Sequence, residues 1–235
     1  MDAVILAAGL GTRLRPHTLT TPKPLLPIKG RPILDWALGA LPTSVDRVLV
    51  VTHYLADQVE AYMKHQSHIR DWVQVPQITP RGTGDAVRSC RSFLKSASVM
   101  VLNGDDLFGA RDLEELSRFA AGLIVHAVDE PRRFGIAFLK PDGTLDRLVE
   151  KPPLDGRQLA NAGAYVLPRE VLDEELPLSP RGEYEITDYV SRLAAQGPVH
   201  VVESTFWLPI GTEQVWQEAQ TMDLDAVMTR NARPG

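Results

Sequence analysis

Five basic side chains, Arg13, Arg15, Lys23, Lys29 and Arg31, stand between Ala3 and Leu34, a stretch without Asp or Glu in a chain of net charge −5. Positive charge concentrated against an acidic background is the pattern expected of a site for an anion. Gly9 and Gly11 lie just ahead of these residues. Glycine adopts dihedrals closed to other residues and lets backbone N–H groups approach an anion closely. Lys23 sits between Pro22 and Pro24, on stiff backbone that limits where its ammonium can go. These residue types in this order suit a polyphosphate.

Spacing separates this loop from two better-known phosphate loops. A dinucleotide fingerprint needs a third glycine where Leu14 stands, and a Walker loop ends in Gly-Lys-Ser/Thr where this chain reads Gly11-Thr12-Arg13. Other chemistries find little support. The six histidines show no metal-ligand spacing such as H-E-x-x-H. The single cysteine, Cys90, excludes an internal disulfide and a cysteine-built zinc site, and with Val87 and Leu94 it reads as one apolar helix face.

The elements that must position the loop are read from periodicity. Val4, Ile5 and Leu6 form a short apolar run suited to a buried parallel strand. Similar runs recur near residues 47–52, 98–102 and 122–128, and the segments between them mostly carry helical spacing. That alternation predicts an α/β fold with a Rossmann-like, mostly parallel central sheet flanked by helices. Ile33, Trp36, Ala37 and Ala40 predict a helix after Pro32; Val87, Cys90 and Leu94 predict another; Val215, Ala219, Met222 and Ala226 predict a terminal one. From Phe134 a strand, a turn at Pro141-Asp142-Gly143 and a second strand to Glu150 predict a hairpin, and a further strand is expected at Ala160–Leu167. Without a linker or repeat, residues 1–235 read as one domain, with a nucleotide-binding half at 1–110 and a second half at 111–230. The last residues, Arg233-Pro234-Gly235, are expected to fray.

At 235 residues, 44% hydrophobic and 23% charged, the chain has the composition of an ordinary globular protein. An isoelectric point near 5.7 argues against nucleic acid as a general partner. No apolar run approaches a membrane span, and the N-terminus enters a strand without a signal-peptide pattern, so a cytoplasmic protein is expected.

The string LAAGLGTRLRPHTLTTPKPLLPIKGRPIL resembles the signature of the sugar-phosphate nucleotidyltransferases. That family includes the glucose-1-phosphate thymidylyl- and uridylyltransferases and the N-acetylhexosamine- and N-acetylmuramate-1-phosphate uridylyltransferases. The resemblance continues through Gln77 with Arg81-Gly82-Thr83-Gly84-Asp85-Ala86, Leu102-Asn103-Gly104-Asp105-Asp106, Phe134-Gly135-Ile136, Glu150-Lys151-Pro152, Asn161-Ala162-Gly163-Ala164-Tyr165, Gly182-Glu183-Tyr184-Glu185-Ile186-Thr187-Asp188, and Trp207 with Gly211-Thr212. It implies attack by a sugar-1-phosphate oxygen on the α-phosphorus of a nucleoside triphosphate, UTP or dTTP, with release of pyrophosphate and with Mg²⁺ as cofactor. It also implies roles. Leu6, Ala8, Gly9, Gly11 and Thr12 would line the nucleotide, Arg13 would hold the triphosphate, and Lys23 would meet the phosphate where the new bond forms. Gln77, Gly82 and Thr83 would recognise the base. Asp105, at the end of an apolar strand, would be both a catalytic residue and the metal ligand, the alternative being a cap for a helix that begins near Arg111, and Asp106 would stand behind it or serve as a cap. Gly135, Glu150, Lys151 and Asn161 would bind the sugar phosphate. The expected partners are a nucleoside triphosphate and a sugar-1-phosphate, with neither nucleic acid nor membrane, and a homo-oligomer is left open.

One position departs from the resemblance. The family segment usually reads Trp-x-Asp-x-Gly-Thr, that Asp being a second metal carboxylate, but here the chain reads Trp207-Leu208-Pro209-Ile210-Gly211-Thr212. Proline has no side-chain oxygen, so the metal would rest on Asp105, phosphates and water, with Glu213 a candidate to help. The same departure keeps two alternatives in view: a nucleotide-sugar-binding or regulatory protein with a degenerate metal site, and a nucleotidyltransferase with a non-sugar acceptor such as phosphocholine. The stop at Gly235, without the repeat-rich acyltransferase region of longer family members, leads to the expectation that the chain is not bifunctional.

Overall fold

The computed structural model describes residues 1–228. Arg233-Pro234-Gly235, expected to fray, lie outside them. The chain opens with β1 (Asp2–Leu6), forms a small antiparallel pair from β2 (Pro27–Ile28) and β3 (Arg31–Pro32), and runs into helix α1 (Ile33–Ala40). Then come β4 (Arg47–Thr52), α2 (Ala56–Met63), β5 (Asp71–Pro76), α3 (Thr83–Ser89), β6 (Ser98–Asn103), β7 (Asp106–Phe108) and α4 (Ala110–Leu116). The second half supplies β8 (Gly122–Val128), β9 (Gly135–Leu139), β10 (Leu145–Glu150), β11 (Gln158–Pro168), α5 (Ile186–Gln196), β12 (His200–Glu203), β13 (Trp207–Pro209), α6 (Glu213–Ala219) and α7 (Leu224–Met228).

One mixed sheet runs through both halves, in the order β10-β9-β11-β6-β1-β4-β5, with β8 on β11 and β12 on β8. Its centre is parallel: Val4 of β1 is in register with Leu49 of β4 and Val101 of β6. Alternation along these strands builds two cores. Ala3, Ile5, Val48, Val50, Met100 and Leu102 face one, and Val4, Leu49, Val51, Val99 and Val101 face the other. Both faces are therefore buried, which is why the strands read as unbroken apolar runs. Each fully buried Val, Ile or Leu contributes about 1.5–3 kcal/mol, so the strand ends that carry the candidate site stand on a rigid base.

Three sequence expectations need correction. The edge strand β5 is absent from the predicted runs because its residues are largely half-exposed and include Gln74. The helix expected to run through Val87, Cys90 and Leu94 ends at Ser89, whose hydroxyl donates to the Ala86 carbonyl at 2.6 Å. A short 3₁₀ turn follows, and Leu94 is still buried. The terminal helix expected through Ala226 is two helices. Thr221 gives both its N–H and its hydroxyl to the Glu218 carbonyl, at 3.1 and 2.9 Å, which closes the ladder of α6.

Candidate functional site

The parallel strands β1, β4, β5 and β6 all end at one edge of the sheet, and there the residues singled out in the sequence converge. The Ala7 N–H reaches the Val51 carbonyl at 2.9 Å, and beyond it the N–H groups of Ala8, Gly9, Leu10 and Gly11 donate to no described residue. Gly11 has φ +61, and a Cβ there would stand 2.8 Å from the Thr18 methyl. The Thr18 hydroxyl donates to the Gly11 carbonyl at 2.8 Å, pinning the turn. The loop thus holds free donors on a fixed backbone, the arrangement that binds phosphate oxygens.

Leu6, Ala8, Gly9, Gly11, Thr12, Arg13 and Lys23 line one cavity of about 440 Å³ with Gln77, Gly82, Thr83 and Asp105. Lys23 and Asp105, 82 positions apart in sequence, form an ion pair across it. Lys23 is buried while the Asp105 side chain keeps 38% exposure, so the carboxylate presents an open side to the cavity. Arg13 is held by the 3₁₀ turn Thr12–Leu14. Its Nη1 lies 3.4 Å from where a Cβ on Gly211 would stand, and its side chain bonds to no described residue.

Asp105 caps no helix: Gly109 occupies the N-cap of α4. Nor is Asp106 a cap. It is buried, and its Oδ2 accepts from Asn103 Nδ2 at 3.3 Å and Trp207 Nε1 at 3.4 Å. Burial first, then the adjacent Asp105 charge, pushes its carboxyl above the usual carboxylate range. Pro209 pairs directly across from Asp106 between β13 and β7. Glu213, the candidate to complete a metal site, is turned to His17 at 3.1 Å. Among the described residues no group of three His, Cys, Asp or Glu could hold a metal ion. Asp105 alone still fits Mg²⁺, which takes one or two carboxylates and fills its octahedron with phosphate oxygens and water.

The base-side residues are more committed than the sequence implied. Gln77 is buried, and its Nε2 donates to Asp85 Oδ2 at 2.9 Å and to the Gly82 carbonyl at 3.2 Å. Both amide protons are therefore used, and only Oε1 remains to meet a base. Thr83 lines the cavity, but its hydroxyl oxygen accepts the Ile186 N–H at 3.1 Å at the start of α5. Gly82 has φ +105, and any Cβ there would run into the Tyr184 carbonyl. Gly82→Ala is expected to cost about 1–3 kcal/mol and to raise the nucleotide KM by displacing the 82–84 turn. An unchanged melting midpoint and KM would contradict this.

Gly135, Glu150 and Asn161 also meet. A Cβ on Gly135 would lie 3.1 Å from Glu150 Oε2 and 3.9 Å from the Asn161 Cβ. Lys151 reaches Glu150 at 3.6 Å. These four residues lie beside the cavity rather than in its wall. The link is β11, where Gly163 leaves room for the Asn103 side chain that lines the cavity. The sequence reading gave no role to Asn103, Glu183 or Gly211, which also line it. Asn103 could have been found from its place at the end of the strand that leads to Asp105. Glu183 and Gly211 carry no such signal.

The model of the nucleotidyl transferase family matches residues 2–226. The chain belongs to this family. The bifunctional protein GlmU of Methanococcus maripaludis is 36% identical over 216 residues, which cover 90% of this chain and 51% of that protein. The mannose-1-phosphate guanylyltransferase of Mycobacterium tuberculosis is 34% identical over 233 residues, 91% of this chain and 62% of that protein. This nucleotidyl transferase chain spans about half the length of the GlmU relative. The solved UDP-glucose pyrophosphorylase from Acinetobacter baumanii has the same fold, with a TM-score of 0.79 at 24% identity over 93% of this chain and 91% of that one. No helix among the described residues is long and apolar enough to cross a membrane.

Proposed function

We propose that this nucleotidyl transferase joins a sugar-1-phosphate to a nucleoside triphosphate, UTP or dTTP, giving a nucleotide sugar and pyrophosphate. The observation that carries the reading is the convergence, in one cavity, of the free loop N–H groups, Arg13, Lys23 and Asp105. The grouping of Gly135, Glu150, Lys151 and Asn161 supports the same reading, as a candidate set of contacts for the sugar phosphate. A phosphate oxygen of the sugar phosphate forms the new bond to the α-phosphorus. The bond from the α-phosphorus to the bridging oxygen breaks, and its electron pair leaves with pyrophosphate. No proton has to move and no protein nucleophile is needed, so positioning and charge stabilisation supply most of the rate.

In this reading the loop N–H groups and Arg13 bind the departing phosphates, and Lys23 neutralises the phosphate at the reacting centre. Mg²⁺, held by Asp105, would supply further charge neutralisation at the phosphoryl oxygens. Gln77 Oε1 accepts from a base N–H, which uracil and thymine offer at N3 and guanine at N1. The mannose-1-phosphate guanylyltransferase relative makes GTP worth including in any test.

A pyrophosphate-release screen of UTP, dTTP, CTP and GTP against a panel of sugar-1-phosphates with Mg²⁺ tests the proposal. At least one pair is expected to turn over. Nucleotide binding without turnover on any pair would favour a nucleotide-binding protein, the reading to which Pro209 lends weight. Pro209→Asp places a carboxylate on the segment that runs beside Asp105, where the Ile210 N–H bonds the Asp105 carbonyl at 3.1 Å. Mg²⁺ affinity in the presence of nucleotide is expected to rise by on the order of tenfold, because affinity follows ligand charge. An unchanged affinity by calorimetry would show that position 209 does not face the metal.

A further inference from the structure

A second cavity lies at the opposite edge of the sheet. It measures about 720 Å³ and is lined by Arg88, Arg91, Ser92, Arg169, Glu170 and Asp173, together with Ala97. Ala97 immediately precedes β6, and Arg169 follows the end of β11, which runs antiparallel to β6; the Arg169 N–H bonds the Ala97 carbonyl at 2.8 Å. The catalytic cavity begins where β6 ends at Asn103. Six residues of strand therefore separate the two, roughly 20 Å.

Three guanidinium groups in one hollow of a chain with net charge −5 call for an explanation. Self-neutralisation accounts for only part of it. Arg91 is tied to Asp173. Among the described residues Arg88 pairs only with Glu175, at 3.8 Å, and that carboxylate is 88% exposed, too solvated to hold it firmly. The half-buried Arg169 side chain and the Ser92 hydroxyl bond to no described residue. Glu170 stands on the same wall and weakens the field, so the ligand must be compact and strongly charged. Guanidinium groups beside a hydroxyl match a phosphoryl group, whose oxygens accept from the planar fork in pairs.

We infer that this second cavity binds a phosphoryl group, through Arg88, Arg169 and Ser92, at a site separate from the catalytic one. Inorganic phosphate and the phosphoryl end of a small phosphate ester share this chemistry. The test follows the arginine Nε–H resonances of the full chain by NMR, assigned with Arg88→Lys and Arg169→Lys. Separate titrations use inorganic phosphate, a sugar-1-phosphate and a nucleoside monophosphate, each at constant ionic strength with chloride as reference. The Arg88 and Arg169 resonances are expected to shift together and saturably with at least one probe, and the best of the three identifies the source. Arg88→Gln with Arg169→Gln is expected to abolish that binding and leave the melting midpoint and the Arg13 response in place. Arg88 and Arg169 shifts no larger than those with chloride for all three probes, or a saturable shift of the Ser92 amide retained in the double variant, would overturn the inference.

Discussion

Asp105→Asn is expected to lower pyrophosphate-forming turnover by at least about a hundredfold, the loss typical of removing one group that stabilises transition-state charge. Asparagine keeps the shape of the side chain and removes its charge, so the change isolates electrostatics. Two effects compete for the outcome. Asp105 is the ion-pair partner of Lys23, whose side chain is only 8% exposed, and removing that partner costs stability, about 1–3 kcal/mol for a charged group left poorly satisfied. It also removes the carboxylate that pairs with Lys23 in the cavity and fits Mg²⁺. If the first effect were all, Asp105→Asn would melt earlier while its folded fraction worked normally. The expected result is a loss of turnover at temperatures where the variant is fully folded, together with weaker Mg²⁺ binding in the presence of nucleotide. Near-normal turnover per folded molecule would remove Asp105 from the proposed machinery.

Arg13→Ala should give a comparable loss, again at least about a hundredfold, with a different stability signature. The Arg13 side chain bonds to no described residue and lies on an exposed turn beside Gly211. Truncating it should change stability by no more than about 0.5 kcal/mol, as for surface positions without special contacts. A residue that costs turnover but not stability is one whose partner is the substrate. Kinetics under saturating nucleotide, set beside thermal melting, checks both halves of this statement. Normal kcat in Arg13→Ala, or a large drop in melting midpoint, would contradict it.

The fold was largely legible because the central strands are buried on both faces and so appear as apolar runs, as in Val48–Val51 and Val99–Leu102. The loop from Gly9 to Arg13 was legible as an anion site because glycine and local positive charge carry the chemistry directly. Long-range pairing was not legible. Nothing in sequence places Lys23 on Asp105, and nothing shows that Gln77 has spent its amide protons on Asp85 and Gly82. Those facts depend on how β1, β5 and β6 align in the sheet. The break between α6 and α7 was missed because Ala219, Met222 and Ala226 keep a helical period across it. The stop lies in the Thr221 hydroxyl competing for a backbone carbonyl, which apolar periodicity does not register. The group of Gly135, Glu150 and Asn161 was reached through family resemblance, and its compactness comes from the β9–β11 contact that pairs Ala160 with Ile136.

The central claim is direct transfer of the nucleotidyl group to a phosphate oxygen of the sugar phosphate within the cavity between the glycine loop and Asp105. The most direct measurement uses a sugar-1-phosphate carrying ¹⁸O in its phosphate and follows the products by ³¹P NMR with an active nucleoside triphosphate and Mg²⁺. The account predicts that all of the label stays in the nucleotide sugar, including the oxygen that bridges its two phosphorus atoms, and that pyrophosphate carries none. Label in the pyrophosphate, or no product from any nucleotide and sugar phosphate pair, would contradict it.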